Sequence, residues 1–497
     1  VVDRPLARAT EELAYHAAPY VVIGEPCKKP LVHRRPEGCA CSRLQQQGYV
    51  CRVFLCDSPR IGRGPSCPPW QHGTVASTGL LDDLVTRGLV HDSTDRDALA
   101  ARFASGPVSA YVGFDPTADS LHVGHLLGQL MLRRLQLAGH KPFPLAGGAT
   151  GMVGDPSGRS DERNLLDRDT LRHNVECIKA QLERILDFAP GTTGAVLVNN
   201  ADWTERITAL DFLRDVGKHV TVNQMMAKES VKNRLESENG LSYTEFSYML
   251  LQANDFRHLC AEHGVELQMG GSDQWGNITA GIDLIRRTLG RAAHGLTWPL
   301  VTKSDGTKFG KTASGAVWLD PARTSPYQFR QFWMNLADDD VVRYLPRFSL
   351  APLDDVRSLI ATHTGAPGKR EAQRALATEM TDLVHGREAA SAAAAAADIL
   401  FGGDPATASR EALAVVAAEV PVTSVSAADL EDTFGLLARS GVVASTSEAR
   451  RTVDQRGIRV NGQTLEPGET LAAKGFLYGR WVLLRKGKTS YHLFDIG

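Results

Sequence analysis

No apolar run in this chain approaches the roughly 20 residues that a membrane-crossing helix needs. Ala389–Leu400 is rich in alanine, but it is too short and reads as an ordinary helix. The N-terminus lacks an apolar core followed by a small-residue cleavage site, so a cytoplasmic protein with no membrane partner is expected. Cysteine is scarce after residue 70, where only Cys177 and Cys260 occur; Cys27, Cys39, Cys41, Cys51, Cys56 and Cys67 all come earlier. Nothing therefore supports a disulfide framework in the main body. The pairs Cys39/Cys41 and Cys51/Cys56 match zinc-ligand spacing weakly, and no metal held by the protein is expected. A surplus of one charge is missing too: 55 Lys and Arg face 57 Asp and Glu, a net −2. That excludes a uniformly basic nucleic-acid coat but leaves room for a local basic patch.

What the chain does contain changes along its length. Residues 1–76 are rich in Pro, Gly, Arg and Cys and show no sustained helical or strand period. They read either as a disordered extension or as sequence upstream of the true start, and no function is assigned to them. From Leu80 the pattern becomes periodic. Leu80, Leu81, Leu84 and Leu89 suggest an amphipathic helix, and Val108–Phe114 a buried strand. Leu121–Leu137 follows as a helix, and Phe143–Leu145, Val196–Val198 and Leu267–Met269 as short strands. Strands alternating with helices, with glycines at strand ends, indicate an α/β fold on a parallel sheet, where ligands bind at the carboxyl ends of strands. Pro326 to about Leu400 is mostly helical, and 401–428 reads as a linker with one helix. The last block, 429–497, holds a helix pair and then short strands divided by Asn461-Gly462 and Pro467-Gly468. Arg439–Gly497 contains ten Lys or Arg against five Asp or Glu, a balance of +5, so 1–438 carry −7. A basic end on an acidic body suits a polyanion such as RNA; a solvated charged face is the plainer alternative.

Five motifs carry chemistry. Tyr111-Val-Gly113-Phe-Asp115-Pro-Thr117 leads to His122-Val-Gly124-His125, where two histidines three apart share a face at a helix N-terminus. Free N–H groups and a positive dipole end make such a place a phosphate site. Lys308-Phe-Gly-Lys311-Thr312, after Lys303, forms a glycine-spaced cationic loop suited to phosphates. Gly270-Gly271-Ser-Asp273-Gln274-Trp-Gly-Asn277 after a strand lets a ligand approach the backbone, with Asp273 available to a ribose hydroxyl. Tyr248, Gln252 and Asp255 line one helix face. Gly147–Gly158 is a glycine-rich loop whose Asp155 can meet an ammonium group. Each motif alone also fits ordinary surface or core residues.

Together, in this order and spacing, they resemble bacterial tyrosyl-tRNA synthetases. His122-Val-Gly-His125 is similar to that family's HIGH signature, and Lys308-Phe-Gly-Lys-Thr312 to its KMSKS signature, with Phe309, Gly310 and Thr312 in place of Met, Ser and Ser. Ser447-Glu-Ala-Arg-Arg451 and Gly457-Ile-Arg-Val-Asn-Gly462 resemble the alpha-L RNA-binding motif. The resemblance implies a Rossmann-like, class I parallel-sheet catalytic domain over 77–325, including a dimer-interface insertion near Asn199–Tyr243. A helical anticodon-region domain over 326–400, the linker 401–428 and a small α+β RNA-binding domain over 429–497 would follow.

It also implies roles. Tyr111 and Asp255 would bind the phenolic hydroxyl of tyrosine, Asp155, Tyr248 and Gln252 its ammonium, and Gln274 its carboxylate. ATP would meet Gly113, Asp115, Thr117, His122, Gly124, His125, Gly271 and Asp273, with Lys308, Lys311 and Thr312 closing over the pyrophosphate. Expected partners are tRNA(Tyr), L-tyrosine, ATP with Mg2+, and a second copy of the chain. Tyr111 with Asp255 favours tyrosine over tryptophan, and the intact histidines and lysines favour a ligase over a non-catalytic RNA-binding relative.

Overall fold

The structure, a computed structural model, describes residues 79–155, 166–228, 231–232, 235, 241–304, 306, 309–312 and 315–497. The readings of residues 1–76 and of Lys308 lie outside the described residues, as do the side chains of Lys311 and Thr312. No helix among the described residues is long and apolar enough to cross a membrane.

A five-stranded parallel sheet organises the first part of the chain. Its strands are β1 (Ser109–Phe114), β2 (Lys141–Ala146), β3 (Val198–Asn199), β4 (Leu267–Gly271) and β5 (His294–Trp298), in the order β3-β2-β1-β4-β5. The winding reverses between β1 and β4, so a crevice opens at their carboxyl ends. The helix Val123–Leu137 connects β1 to β2 and buries Leu126, Leu127, Leu130 and Leu135. Each such leucine stabilises the fold by about 1.5–3 kcal/mol relative to exposure.

Strand β2 contains Pro142 and Pro144, although it lies between two neighbours. The amides of Lys141 and Gly147 donate toward β1, to the carbonyls of Val108 and Phe114. Both prolines fall on the opposite alternation, facing β3. The β1 ladder thus loses no donor, while β3 pairs only at Leu145 and Ala146, beyond the second proline.

A hairpin of β6 (Lys311–Thr312) and β7 (Gly315–Ala316) follows the sheet. Five helices come next: Pro326–Met334, Asp338–Phe348, Leu353–Gly365, Glu371–His385 and Arg387–Leu400. Phe329, Trp333, Tyr344, Phe348, Leu376 and Met380 share one core with Leu126 and Leu130, so these helices are fused to the sheet region.

Residues 401–428 carry the expected helix, Arg410–Glu419, and also β8 (Val422–Ser424). Leu413 and Val416 pack against Ile399, Trp481 and Leu493. The terminal sheet has β9 (Ile458–Val460), β10 (Gln463–Thr464), β11 (Trp481–Lys486) and β12 (Ser490–Asp495), in the order β10-β9-β11-β12-β8. Its helix pair, Thr433–Arg439 and Thr446–Asp454, buries Leu436, Leu437 and Val453 in a separate core with Val482 and Phe494.

Candidate active site

A cavity of about 400 Å³ opens where β1 and β4 part. Tyr111, Gly113, Asp115 and Thr117 line it from β1 and the turn after it; His122, Gly124 and His125 from the following helix start; and Asp155 from the glycine-rich loop. Tyr248, Gln252 and Asp255 enter from the helix Tyr243–His263, and Gly271, Asp273 and Gln274 from the turn after β4. Every candidate whose side chain is described therefore reaches one cavity.

Tyr111 and Asp255 are deeply buried, 1% and 2% exposed. Both oxygens of Asp255 are engaged: Trp203 Nε1 donates to Oδ1 at 2.8 Å and Asn200 Nδ2 to Oδ2 at 2.9 Å. Burial still pushes this carboxyl up to about 7, partly offset by those two donors. Burial, and then the charge of Asp255, pushes the Tyr111 phenol well above its ordinary range. The Tyr111 hydroxyl has no hydrogen-bond partner among the described residues. A buried, unsatisfied hydroxyl beside an acceptor is costly unless a ligand supplies the missing partner. The pair can exchange hydrogen bonds with a ligand hydroxyl.

Further along the cavity, the Tyr248 hydroxyl donates to Asp115 Oδ2 at 3.1 Å and the Thr150 hydroxyl to Asp115 Oδ1 at 3.0 Å. Gln274 Nε2 donates to Asp155 Oδ2 at 2.8 Å. Burial, with Asp155 nearby, raises the carboxyl of Asp273. Four carboxylates, Asp115, Asp155, Asp255 and Asp273, line this one cavity, which favours positive over negative charge nearby.

Also lining the cavity, His122 caps the helix Val123–Leu137. Its Nδ1 accepts from the Gly124 amide at 3.0 Å, and His125 Nδ1 accepts from the His122 amide at 3.3 Å. A ring nitrogen that accepts an N–H carries no proton, so each neutral ring is protonated on Nε2 and acts there as a donor. The rings stack 3.9 Å apart, and a Cβ on Gly124 would stand 2.7 Å from the His122 ring.

Gly310 sits against the same helix start. Val317 N donates to the Gly310 carbonyl, and Val123 N to the Val317 carbonyl. Gly310 has φ +81°, and a Cβ there would meet Val123 Cγ2 at 2.6 Å. Phe309 is buried among Phe332, Trp333, Tyr344 and Phe348. The substitutions for Met and Ser in this signature thus match an aromatic socket and a left-handed turn without room for a side chain. No cluster of three or more His, Cys, Asp or Glu suited to a metal is present among the described residues.

Sequence reading gives no role to Asn200, Trp203, Thr150 or Asn277, although Thr150 and Asn277 lie inside two of its glycine motifs. The first two follow β3 as Asn200-Ala-Asp-Trp203, a strand-end position that could have flagged them.

Comparison with known proteins agrees with this geometry. The family model "tRNA synthetases class I (W and Y)" matches residues 104–402, and "Tyrosine--tRNA ligase SYY-like C-terminal domain" matches 412–494. The chain is 51% identical over 425 residues to a tyrosine–tRNA ligase of Roseiflexus castenholzii, covering 84% of this chain and 100% of that one. It is 52% identical over 422 residues to one of Opitutus terrae, covering 84% and 99%. A C-terminally truncated mitochondrial tyrosyl-tRNA synthetase of Aspergillus nidulans superposes with a TM-score of 0.59 at 33% identity, covering 65% of this chain and 94% of that one. With a family model over more than half its length and relatives near 50% identity, the chain belongs to the tyrosine–tRNA ligases, within the class I aminoacyl-tRNA synthetases.

Proposed function

We propose that this cavity activates L-tyrosine with ATP and passes the tyrosyl group to the 3′ end of tRNA(Tyr). The observation that carries the reading is the unpartnered Tyr111 hydroxyl beside Asp255. The phenol of tyrosine donates to Asp255 and accepts from Tyr111. Phenylalanine would leave both groups buried and unpaired, a rule for which tyrosyl-tRNA synthetases are themselves the standard illustration. Asp155, Tyr248 and Gln252 take the ammonium, and Gln274 orients the carboxylate.

In the first step a carboxylate oxygen of tyrosine attacks the α-phosphorus of ATP. A C–O–P bond forms, the α–β P–O bond breaks, and pyrophosphate leaves with the electron pair. No base is needed, because the nucleophile is already an anion. The barrier is charge on the phosphoryl oxygens and the leaving group, which fixed donors lower. His122, His125, Lys308, Lys311 and Thr312 supply those donors, and Gly113, Asp115, Thr117, Gly124, Gly271 and Asp273 seat the nucleotide. Magnesium arrives with ATP as part of the substrate. A terminal ribose hydroxyl of tRNA then attacks the tyrosyl carbonyl, and AMP departs.

Binding of tRNA is assigned to the terminal basic region and to the helices before it. Arg451, Arg459 and Lys488 have no ion pair among the described residues, which leaves their charge available to phosphates. The domain division 77–325, 326–400, 401–428 and 429–497 belongs to the same reading, as does work in the cytoplasm, where translation runs. Assembly as a homodimer is supported by exposed Leu210, Leu213, Val222, Met226 and Tyr243 between 209 and 243. Charging of tRNA(Tyr) by the purified chain tests the whole: tyrosine-dependent charging is expected, and its absence with folded protein overturns the reading.

A further inference from the structure

Behind the substrate side chains lies a chain of amides whose orientation follows from simple donor and acceptor rules. Gln274 Nε2 faces two carboxylates, Asp155 Oδ2 at 2.8 Å and Asp273 Oδ2 at 3.3 Å. Carboxylates accept, so this end of Gln274 is its NH2 group and its oxygen points the other way. That oxygen meets two amides, Gln252 at 3.2 Å and Asn277 at 3.3 Å, and both must present nitrogen to it. Gln252 therefore turns its own oxygen toward Asn277, whose Nδ2 stands 3.0 Å away. One NH2 group, that of Asn277, serves both glutamine oxygens. Asn277 is 5% exposed and is not among the side chains lining the cavity.

We propose that Asn277 is a positioning residue that, beside a Gln274 already oriented by Asp155 and Asp273, holds Gln252 in the amide orientation that reads the tyrosine zwitterion. The inference rests on the assignment of these glutamines to the ammonium and carboxylate of tyrosine. An ammonium needs an acceptor, which is the second lone pair of Gln252 Oε1. A substrate carboxylate needs a donor, which is Gln274 Nε2. Asp155 and Asp273 already forbid a flip of Gln274, and with Asn277 in place a flip of Gln252 would set two NH2 groups against each other. Without it, only the 3.2 Å bond from Gln252 Nε2 to Gln274 Oε1 opposes the flip that would present a donor to the ammonium.

The test is tyrosine-dependent pyrophosphate exchange by the full chain carrying Asn277→Asp or Asn277→Ala, alongside Gln252→Ala and Gln274→Ala. Asn277→Asp keeps size and removes the donor. It is expected to raise KM for tyrosine about tenfold or more, with KM for ATP within about twofold. In a Gln252→Ala background the same change is expected to cost about twofold at most, because the two act as a unit. If Gln252→Ala and Gln274→Ala raise KM for tyrosine while both Asn277 variants leave it unchanged, Asn277 does not position Gln252. Equal rises in both KM values with a lowered melting temperature give Asn277 a structural role only, which also overturns the inference. If neither glutamine variant affects tyrosine, the substrate assignment itself fails, and the inference with it.

Discussion

The indole Nε1 of Trp203 donates to Oδ1 of Asp255 at 2.8 Å, from a residue 52 positions earlier in the chain. The bond crosses from the short helix after β3 to the middle of the helix Tyr243–His263. With Asn200 on the other oxygen, it fixes the carboxylate in one rotamer and supports its charge where burial opposes charge.

Replacing Trp203 with Phe keeps much of the ring volume and deletes the donor. A hydrogen bond to a buried charge is worth about 1.5–3 kcal/mol. Trp203→Phe should therefore raise KM for tyrosine by roughly ten- to a hundredfold and leave KM for ATP nearly unchanged. Steady-state kinetics with each substrate varied in turn will show whether the two separate; a parallel rise would deny Trp203 this role.

The raised carboxyl of Asp255 sets opposite pH trends for binding and folding. In the proposed binding mode the tyrosine phenol donates to the ionised form, so kcat/KM for tyrosine should climb as pH rises through about 7. Folding favours the protonated form, because the folded-state value lies above the ordinary 3.8. Its stabilising effect is fullest below that ordinary value and is lost as pH rises toward about 7. Asp255→Asn should remove this part of the pH dependence of the melting temperature, and an identical pH slope in wild type and variant would speak against it.

At Gly310 the generic signature carries serine, but here φ is +81° and the Cβ position is taken by Val123. Gly310→Ser should displace the loop from the helix start and slow tyrosyl-adenylate formation about tenfold or more, through strain of about 1–3 kcal/mol. Equilibrium tyrosine binding should stay as in wild type. Single-turnover formation of the adenylate decides the matter: an unchanged rate means the loop tolerates the side chain.

Lys311→Ala should likewise lower the activation rate, by roughly a hundredfold or more if its charge meets the leaving pyrophosphate. Tyrosine affinity should not move. A rate equal to wild type in the same single-turnover assay removes the lysine from the chemistry.

What the sequence made legible was local. The glycines after β4, the paired histidines at a helix start and the polar face of the helix Tyr243–His263 are short-range patterns, and they mark positions that the cavity brings together. What escaped depends on distance. Asn200 and Trp203 act on a side chain more than 50 residues away, and no periodicity announces that. Asn277 is one polar residue at the start of an amphipathic helix; its bond to Gln274 three residues back is local, but its bond to Gln252 appears only when two helices meet. Strand β5, His294–Trp298, was passed over because Gly295 breaks its apolar run, though Leu296 is fully buried. Strand β8 is three residues of a segment that reads as a linker, and it gains its form by pairing in parallel with β12 near the end of the chain.

The central claim is that one cavity selects tyrosine by its hydroxyl and joins it to ATP. Amino-acid-dependent exchange of pyrophosphate into ATP, run with each of the twenty amino acids, tests both parts in one measurement. The account predicts exchange with tyrosine and none above background with phenylalanine. Exchange with tryptophan instead would overturn the pairing of Tyr111 and Asp255 with a phenol, and no exchange with any amino acid, from folded protein, would contradict the activation step itself.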